Sequence, residues 1–260
     1  MNARLDGVEI LVTRPPQQSA ALAELIREAG GEPVLFPALE IEALASAATA
    51  PALTCLAQFD LVVFVSPNAV RLGMPHILSK GGLPAAAGIA AIGPGTVAEL
   101  KKFGVHNIIS SQTGFDSEAL LGELSTRLPK VCRALLVRGQ GGREFLGETL
   151  AKRGAGVDYL ECYRRIRPNR DMRDLMTRSA GAGRIACLAT SASIVENLFE
   201  MAGETGHAWL CAIPFFVSHP RVALAAFTRG VQAVFVAGSG DEALVAGLQV
   251  WFRRALHSVQ

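Results

Sequence analysis

The chain has 260 residues, of which half are apolar and 18% are charged, and its formal net charge is +2. This composition supplies enough apolar surface for two cores, excludes a disordered chain and gives no sign of a nucleic-acid surface. No apolar run reaches the roughly 18 residues that a membrane helix needs, and residues 1–8 lack the apolar core of a signal peptide, so we expect a cytoplasmic protein with no membrane contact.

Short apolar runs of strand length alternate with amphipathic helical patterns along the chain. In the first helical pattern Leu22, Leu25, Ile26 and Ala29 share one face, and a glycine pair closes it. The predicted strands, in chain order, are residues 10–12, 61–65, 89–92, 107–110, 134–137, 185–189, 215–218 and 233–237. Such alternation predicts an α/β fold with doubly wound, Rossmann- or flavodoxin-like parallel sheets.

The two halves of the chain repeat each other at an interval of about 124 residues, which predicts two domains with the same element order. The matched stretches are 10–14 with 134–138, 61–70 with 185–194, 92–100 with 217–225, and 118–120 with 242–244.

Small, hydroxyl or basic residues follow most of the predicted strands, where a helix begins. In parallel sheets such loops gather at the carboxyl edge, and the N–H groups of the helix ends favour anions. For any single loop, helix capping alone remains an alternative. Six such loops in two domains favour a large anionic ligand held between the domains. The candidate binding residues are Thr13, Arg14, Ser66, Asn68, Gly93, Gly95, Thr96, Arg138, Gly139, Thr190, Ser191 and Ser218.

The cations are twenty arginines and five lysines, a bias that suits carboxylates or phosphates but that GC-rich codon usage also produces. The glycines at 93–95 and 139–142 fit neither dinucleotide nor phosphate-loop spacing, which disfavours NAD and ATP. The five cysteines form no CxxC pair and the histidines no HxxxH pair. We therefore expect neither an organic cofactor nor a metal.

Both tyrosines, Tyr159 and Tyr163, lie in residues 157–167, where apolar and polar residues alternate before a cationic end. Residues 36–44 alternate in the same way. Both stretches are typical of extended, two-faced strands, and both occur where one repeat passes to the next. A phenol at that place is either a packed tyrosine or a hydrogen-bonding acid at a domain boundary.

Taken together, these stretches resemble the uroporphyrinogen-III synthase family over nearly the whole chain. The matching motifs are 11–15 (LVTRP), 36–37 (FP), 64–70 (FVSPNAV), 91–96 (AIGPGT), 116–120 (DSEAL), 137–139 (VRG), 142–144 (GRE), 163–165 (YRR), 189–191 (ATS) and 218–223 (SHPRVA). Their order and spacing make the resemblance specific. In the second repeat, Ser218 and His219 replace the Gly93-Pro94 pair of the first.

The resemblance implies two α/β domains joined by a two-stranded antiparallel ladder, formed by linker strands at about residues 36–44 and 159–167. The first domain would be discontinuous, comprising residues 1–36 and 166–260, and the second would comprise 37–165. The implied activity is that of a cofactor-independent lyase of haem biosynthesis. It would cyclise hydroxymethylbilane, a linear tetrapyrrole with eight carboxylates, to uroporphyrinogen III with inversion of ring D and release of water.

For this reaction we predict that Tyr163 donates the proton to the departing hydroxyl, with water or a substrate carboxyl as alternatives. We expect a monomer that receives its substrate by transient hand-over from hydroxymethylbilane synthase. Two other functions stay open from the residues alone. One is a non-catalytic two-domain module that binds an anion or solute. The other is a nucleotide-dependent transferase, against which the missing phosphate fingerprints argue.

Overall fold

A computed structural model of the protein describes residues 4–179 and 184–257. The strands are β1 Glu9–Val12, β2 Glu32–Leu35, β3 Glu40–Ala43, β4 Leu61–Phe64, β5 Gly88–Ala91, β6 Ile108–Ile109, β7 Arg133–Gly139, β8 Gly156–Ile166, β9 Ile185–Ala189, β10 Phe215–Val217 and β11 Val234–Val236. The helices are α1 Ala20–Glu28, α2 Pro67–Leu78, α3 Pro94–Lys102, α4 Ser117–Arg127, α5 Phe145–Lys152, α6 Arg173–Ser179, α7 Ala192–Ala212, α8 Pro220–Thr228 and α9 Asp241–His257. Short 3₁₀ segments occupy Pro16–Gln18, Ala45–Thr49 and Pro51–Gln58.

The chain divides into two compact units. Unit 1 consists of Met1–Glu40 and Ile166–Gln260, and unit 2 consists of Ile41–Arg165. The sheet of unit 1 has the strand order β11-β10-β9-β1-β2, and the sheet of unit 2 has the order β3-β8-β7-β4-β5-β6. Strands β1, β2, β9, β10 and β11 pair in parallel, as do β4, β5, β6, β7 and β8. The prediction of α/β units with parallel sheets is thereby confirmed.

The internal repeat corresponds to the same sheet order in both units. Strands β1 and β2 of unit 1 correspond to β7 and β8 of unit 2, and β9–β10–β11 correspond to β4–β5–β6. The helix caps correct one detail of the sequence comparison. Ser66 caps α2 and Ser191 caps α7 in the same way, so Ser66 corresponds to Ser191, one residue beyond the position that the sequence comparison assigned.

Seven of the predicted strand segments coincide with strands within one or two residues at each end, and residues 107–110 contain the short strand β6. The prediction for residues 36–44 was wrong in part. The strand there, β3, begins only at Glu40, and a separate strand, β2, covers Glu32–Leu35. Strand β2 was missed because Pro33 lies within it, and proline is tolerated in a strand mainly at a sheet edge, where β2 lies.

Each sheet is buried on both faces, as parallel sheets require. In β4, Val62 and Phe64 belong to the apolar cluster on one face, whereas Leu61 and Val63 belong to the cluster on the other. Strand β1 alternates in the same way, with Leu11 on one side and its neighbours on the other. The interiors of the sheets are therefore occupied by apolar side chains, and polar side chains are left to the loops that follow the strands.

Candidate functional site at the carboxyl edge of unit 2

A cleft of about 320 Å³ opens at the carboxyl edge of the unit 2 sheet. Because β4, β5, β7 and β8 are parallel, the residues near their carboxyl ends meet at this edge, where open α/β sheets bind ligands. The lining residues are Val65, Ser66, Ile92, Asp116, Ser117, Leu136, Arg138, Gly139, Gly142, Arg143, Leu146, Tyr163 and Arg165. All of them belong to unit 2.

A phenol and a hydroxyl are hydrogen bonded to each other in the wall of the cleft. Tyr163 is 2% exposed, and its Oη lies 3.0 Å from Oγ of Ser66. Ser66 is half-buried and caps α2, because its Oγ accepts a hydrogen bond from the N–H of Ala69 at 3.1 Å. The positive end of the helix dipole therefore acts on this hydroxyl. The arrangement can pass a proton between the buried phenol and a group that lines the cleft.

Gly139 leaves the space that the Tyr163 ring fills. The register of β7 and β8 shifts between Arg138 and Gly139, so that Gly139 lies opposite Tyr163. A Cβ atom at position 139 would come within 2.5 Å of both Cε2 and Cζ of the ring. In addition, the N–H of Gln140 donates to the carbonyl oxygen of Tyr163 at 2.7 Å. Backbone contacts thus hold the phenol against the end of β7.

Arg138, at the end of β7, is a buried cation held by two carboxylates. Its Nη2 donates to Oε1 of Glu144 at 2.6 Å, and its Nε donates to Oε1 of Glu161 at 3.3 Å. The guanidinium lies over the ring of Tyr159, 4.6 Å from the centroid, and the Oη of Tyr159 donates to Glu144 at 3.2 Å. Its Nη1 is buried and has no hydrogen-bond partner within the described part of the chain. Arg138 therefore retains one donor nitrogen whose two N–H groups are unused.

The groups of this network shift the pKa values of one another. The hydrogen bond from Arg138 lowers the pKa of Glu144. Burial, followed by the charge of Glu144, raises the pKa of Tyr159. Burial alone would lower the pKa of Arg138, but the hydrogen bond and charge of Glu144 raise it. At neutral pH the network consists of a cation, carboxylates and a neutral phenol.

Two further arginines line the cleft, and the sequence patterns did not select them as binding residues. Arg143 is paired with Glu118 of α4, with Nη2 and Oε1 2.6 Å apart. Arg165 lies two residues beyond Tyr163, and its Cζ is 5.9 Å from the centroid of the Tyr163 ring. Strand alternation gives a signal for Arg165, since residues two apart share a face of a strand.

Four other predicted residues of unit 2 do not line the cleft. Asn68 accepts a hydrogen bond from Arg71 of its own helix. Gly93 caps α3 with φ of +79°, a conformation that favours glycine, and Thr96 in the first turn of that helix is 1% exposed. Gly95 packs near Pro67 at the start of α2. Ser66, Arg138, Gly139 and Tyr163 are thus the predicted residues that the cleft brings together.

In unit 1 the side chains of Thr13, Ser191 and Ser218 form hydrogen bonds with backbone groups, and Thr190 contributes its carbonyl oxygen. The Oγ1 of Thr13 donates to the carbonyl oxygen of Leu188 at 2.6 Å, and Thr13 is 1% exposed. The Oγ of Ser218 donates to the carbonyl oxygen of Thr190 at 3.2 Å. Ser191 caps α7. These hydrogen bonds connect the ends of β1, β9 and β10, so they stabilise the carboxyl edge of the unit 1 sheet.

The charged groups at the same edge of unit 1 are also paired. Arg14 forms an ion pair with Asp241, at the start of α9, with 2.8 Å between Nη1 and Oδ1. His219 precedes Pro220 as the N-cap of α8, just as Gly93 precedes Pro94 as the N-cap of α3, so His219 corresponds to Gly93 and not to Pro94 as the sequence comparison had it. Its Nε2 lies 3.0 Å from Oγ of Ser239. This edge therefore offers mainly backbone N–H groups of helix starts to a ligand.

Within the residues that the structure describes, no three His, Cys, Asp or Glu side chains lie close enough together to bind a metal ion. No helix in the described ranges combines the length and apolarity needed to span a membrane.

The fold and the edges define a class: two doubly wound α/β units, each with helix starts and polar side chains at the carboxyl edge of its sheet. Residues 20–246 match the family model described as uroporphyrinogen-III synthase HemD. The chain belongs to the uroporphyrinogen-III synthase family.

Curated relatives agree with this membership, and solved structures share the fold. The chain is 31% identical over 251 residues to uroporphyrinogen-III synthase of Salmonella typhimurium, covering 93% of this chain and 100% of the relative. It is 30% identical over 248 residues to that of Escherichia coli, with the same coverage. A mutant uroporphyrinogen III synthase of Thermus thermophilus shares the fold with a TM-score of 0.61 at 23% identity, over 96% of this chain and 99% of that one. The Helicobacter pylori uroporphyrinogen-III synthetase has a TM-score of 0.55 at 13% identity, over 95% and 98%.

Proposed function

We propose that this chain is a uroporphyrinogen-III synthase, a lyase of haem biosynthesis. It converts hydroxymethylbilane to uroporphyrinogen III, inverting ring D and releasing water. The observation that carries the proposal is the match of residues 20–246 to the family model. The cleft of unit 2 supports it, because guanidinium groups and a buried phenol lie together there.

The chemistry requires geometric control more than a reactive nucleophile. Loss of the hydroxymethyl oxygen leaves an azafulvenium cation, and ring closure without inversion occurs spontaneously. The enzyme must hold the flexible bilane in the pose that inverts ring D. Preorganisation of this kind contributes about 7–11 kcal/mol in favourable intramolecular cases. For these tasks the enzyme needs two things. One is a set of hydrogen-bond donors for the eight carboxylates of the substrate, and the other is a single proton source.

The proton source is Tyr163. Departure of hydroxide is unfavourable, so the leaving oxygen needs a proton as its bond to carbon breaks. The hydrogen bond of 3.0 Å between Tyr163 and Ser66 supports this role, since Ser66 gives the buried phenol a route to the cleft. On this route the Ser66 hydroxyl donates to the leaving oxygen and takes the proton of Tyr163.

The carboxylates of the substrate are bound by strand-end loops of both units. In unit 2 we assign Ser66, Asn68, Gly93, Gly95, Thr96, Arg138 and Gly139 to binding, and in unit 1 Thr13, Arg14, Thr190, Ser191 and Ser218. Support comes from helix N-termini at which several of these residues lie, such as those capped by Ser66, Gly93 and Ser191. Oriented N–H groups at such ends stabilise anions without a basic side chain.

We further propose that the two units are two domains, that the protein acts as a cytoplasmic monomer, and that substrate arrives by hand-over from hydroxymethylbilane synthase. Because the free bilane closes spontaneously to the wrong isomer, a short transit favours the correct product. Sedimentation of the purified protein tests the monomer.

The experiment for the activity is an isomer analysis. Freshly prepared hydroxymethylbilane is incubated with the purified protein in chelator-containing buffer without added cofactor. The product is oxidised, and its isomers are separated by chromatography. We expect the type III isomer, whereas heat-denatured protein gives type I. Type I alone in the presence of folded protein would refute the proposed function, and a non-catalytic binding protein would then remain.

A further inference from the structure

We propose that Arg165 binds a carboxylate of the substrate and sets the affinity of the cleft for it, an inference that rests on the proposed function. Arg165 lies on β8, lines the cleft and is exposed to solvent. It shares a strand face with Tyr163, and its Cζ is 5.9 Å from that ring. A carboxylate bound by this guanidinium would hold the substrate beside the phenol.

Arg165 differs from the other two arginines that line the cleft in its ion-pair partners. Arg138 is shared between Glu144 and Glu161, and Arg143 is paired with Glu118. No carboxylate of the described residues lies within ion-pair distance of Arg165. A substrate carboxylate at Arg143 must compete with an internal one. Arg138 has a free Nη1, but it is 6% exposed and its charge is already shared by two carboxylates. Arg165 is exposed and binds a carboxylate without losing a partner.

The neighbouring residue on the same strand, Arg164, forms a structural ion pair. Arg164 lies on the opposite face of β8, and its Nε and Nη2 bind both carboxylate oxygens of Glu42 at 2.9 and 3.0 Å. The hydrogen bond from Arg164 lowers the pKa of Glu42. Arg164 is therefore satisfied within the protein, and one strand carries both a paired and an unpaired guanidinium.

Guanidinium chemistry determines what Arg165 would recognise. Its planar fork donates two parallel hydrogen bonds to a carboxylate, which an ammonium cannot match. An unpaired cation at a cleft also attracts a polyanion through long-range electrostatic attraction, and dissolved salt weakens this attraction. Acetate or propionate side chains of a tetrapyrrole fit both properties, and a neutral pyrrole does not.

The test is steady-state kinetics of Arg165→Gln and Arg165→Lys, with Arg164→Gln as the matched control. We expect Arg165→Gln to raise KM about ten-fold, the loss typical of a charge-assisted hydrogen bond, with kcat changed less than about two-fold. Arg165→Lys should fall between wild type and Arg165→Gln. Added salt should raise the KM of wild type more steeply than that of Arg165→Gln. Arg164→Gln should have the KM of wild type, and melting curves should show all three variants folded.

Three results would overturn the inference. The first is a wild-type KM in Arg165→Gln. The second is an equal rise in KM in Arg164→Gln, which would indicate a general charge effect. The third is a loss of kcat alone, which would mean that Arg165 acts through Tyr163. All three results are measured against an active wild-type enzyme. Failure of the proposed function is a different outcome, because wild type itself would then produce no type III isomer.

Discussion

The carboxyl edges of the two sheets share one framework but differ in their side chains. Arg138 of unit 2 corresponds to Arg14 of unit 1, and each binds an acidic residue. The register of β1–β2 matches that of β7–β8 as far as the pair of Arg138 and Glu161, and both tyrosines of the sequence, Tyr159 and Tyr163, lie in β8 of unit 2. Unit 1 therefore has no phenol at this place. Both edges have helix starts of the kind that stabilise anions, while the hydrogen-bonded pair of Tyr163 and Ser66, the proposed proton donor, occurs in unit 2 alone among the described residues.

The largest effect should come from Tyr163→Phe, which removes only the hydroxyl. We expect kcat to fall about 100-fold or more, since general acid catalysis contributes that much, while the ring still packs against Gly139. Turnover and thermal melting are the measurements. Tyr159→Phe is the matched control, because its hydroxyl donates to Glu144, away from Ser66, and it should retain a normal kcat.

A normal kcat in Tyr163→Phe would contradict the proposal that Tyr163 is the general acid. The proposed functional difference between the two sheet edges would then also be lost. The proton would then come from water or from a substrate carboxyl. In that case Tyr163 would be a packing residue, and Tyr163→Ala would lower the free energy of unfolding by about 3–5 kcal/mol through the cavity it leaves.

The next effect should come from Gly139→Ala. The new Cβ would lie 2.5 Å from two atoms of the Tyr163 ring, so the ring must leave the position in which it is hydrogen bonded to Ser66. We expect kcat to fall about ten-fold, because the proton route lengthens, and the free energy of unfolding to fall by about 1–3 kcal/mol from overpacking. Turnover and urea unfolding measure the two effects.

Gly122→Ala is the control for this substitution. Gly122 lies within α4, and a Cβ there meets nothing within 4 Å. Alanine should raise the free energy of unfolding by about 0.5–1 kcal/mol and leave kcat unchanged. If Gly139→Ala behaved like Gly122→Ala, the ring of Tyr163 would not need its observed position for turnover.

The sequence predicted the sheets well because parallel strands buried on both faces are short apolar runs, such as Leu61–Phe64. It missed β2, where Pro33 interrupts the pattern, and it extended β3 back over residues 36–39, although polar and apolar residues alternate only from Glu40 onward. Local patterns do not reveal that β2 is paired with β1 at a sheet edge.

The candidate site was predicted less completely than the fold. Ser66, Arg138, Gly139 and Tyr163 were selected from strand-end positions and motifs, and all four line the cleft. Strand alternation indicates that Arg165 shares a face with Tyr163, but the role proposed for it also depends on which arginines are paired with carboxylates, and the sequence does not show that pairing. Those partners, such as Glu118 for Arg143, are distant in the chain and become known only from the tertiary structure.

The helix caps allow a direct comparison of the two edges. Ser66 and Ser191 each accept a hydrogen bond from the first turn of a helix. Alanine at either position should therefore lower the free energy of unfolding by about 1 kcal/mol. Ser66→Ala should also lower kcat about ten-fold because Tyr163 loses its partner, whereas Ser191→Ala should change KM alone. Equal losses of kcat in both variants would show that Ser66 contributes no proton route.

The smallest effect concerns the pH dependence of stability around Arg138. The hydrogen bond from Arg138 lowers the pKa of Glu144 below its usual 4.5. A carboxyl whose pKa is lower in the folded state stabilises the protein fully above its unfolded pKa, and this contribution is lost as the pH falls through the folded pKa. The melting temperature of wild type should therefore exceed that of Glu144→Gln at pH 6, and the difference should shrink below about pH 4.5. Glu148→Gln is the control. Glu148 lies in α5, the helix that Glu144 precedes, its carboxylate is 3.9 Å from Lys152, and the variant should melt close to wild type at pH 6. A difference between wild type and Glu144→Gln that persisted undiminished at pH 3 would mean that the ion pair with Arg138 does not supply it.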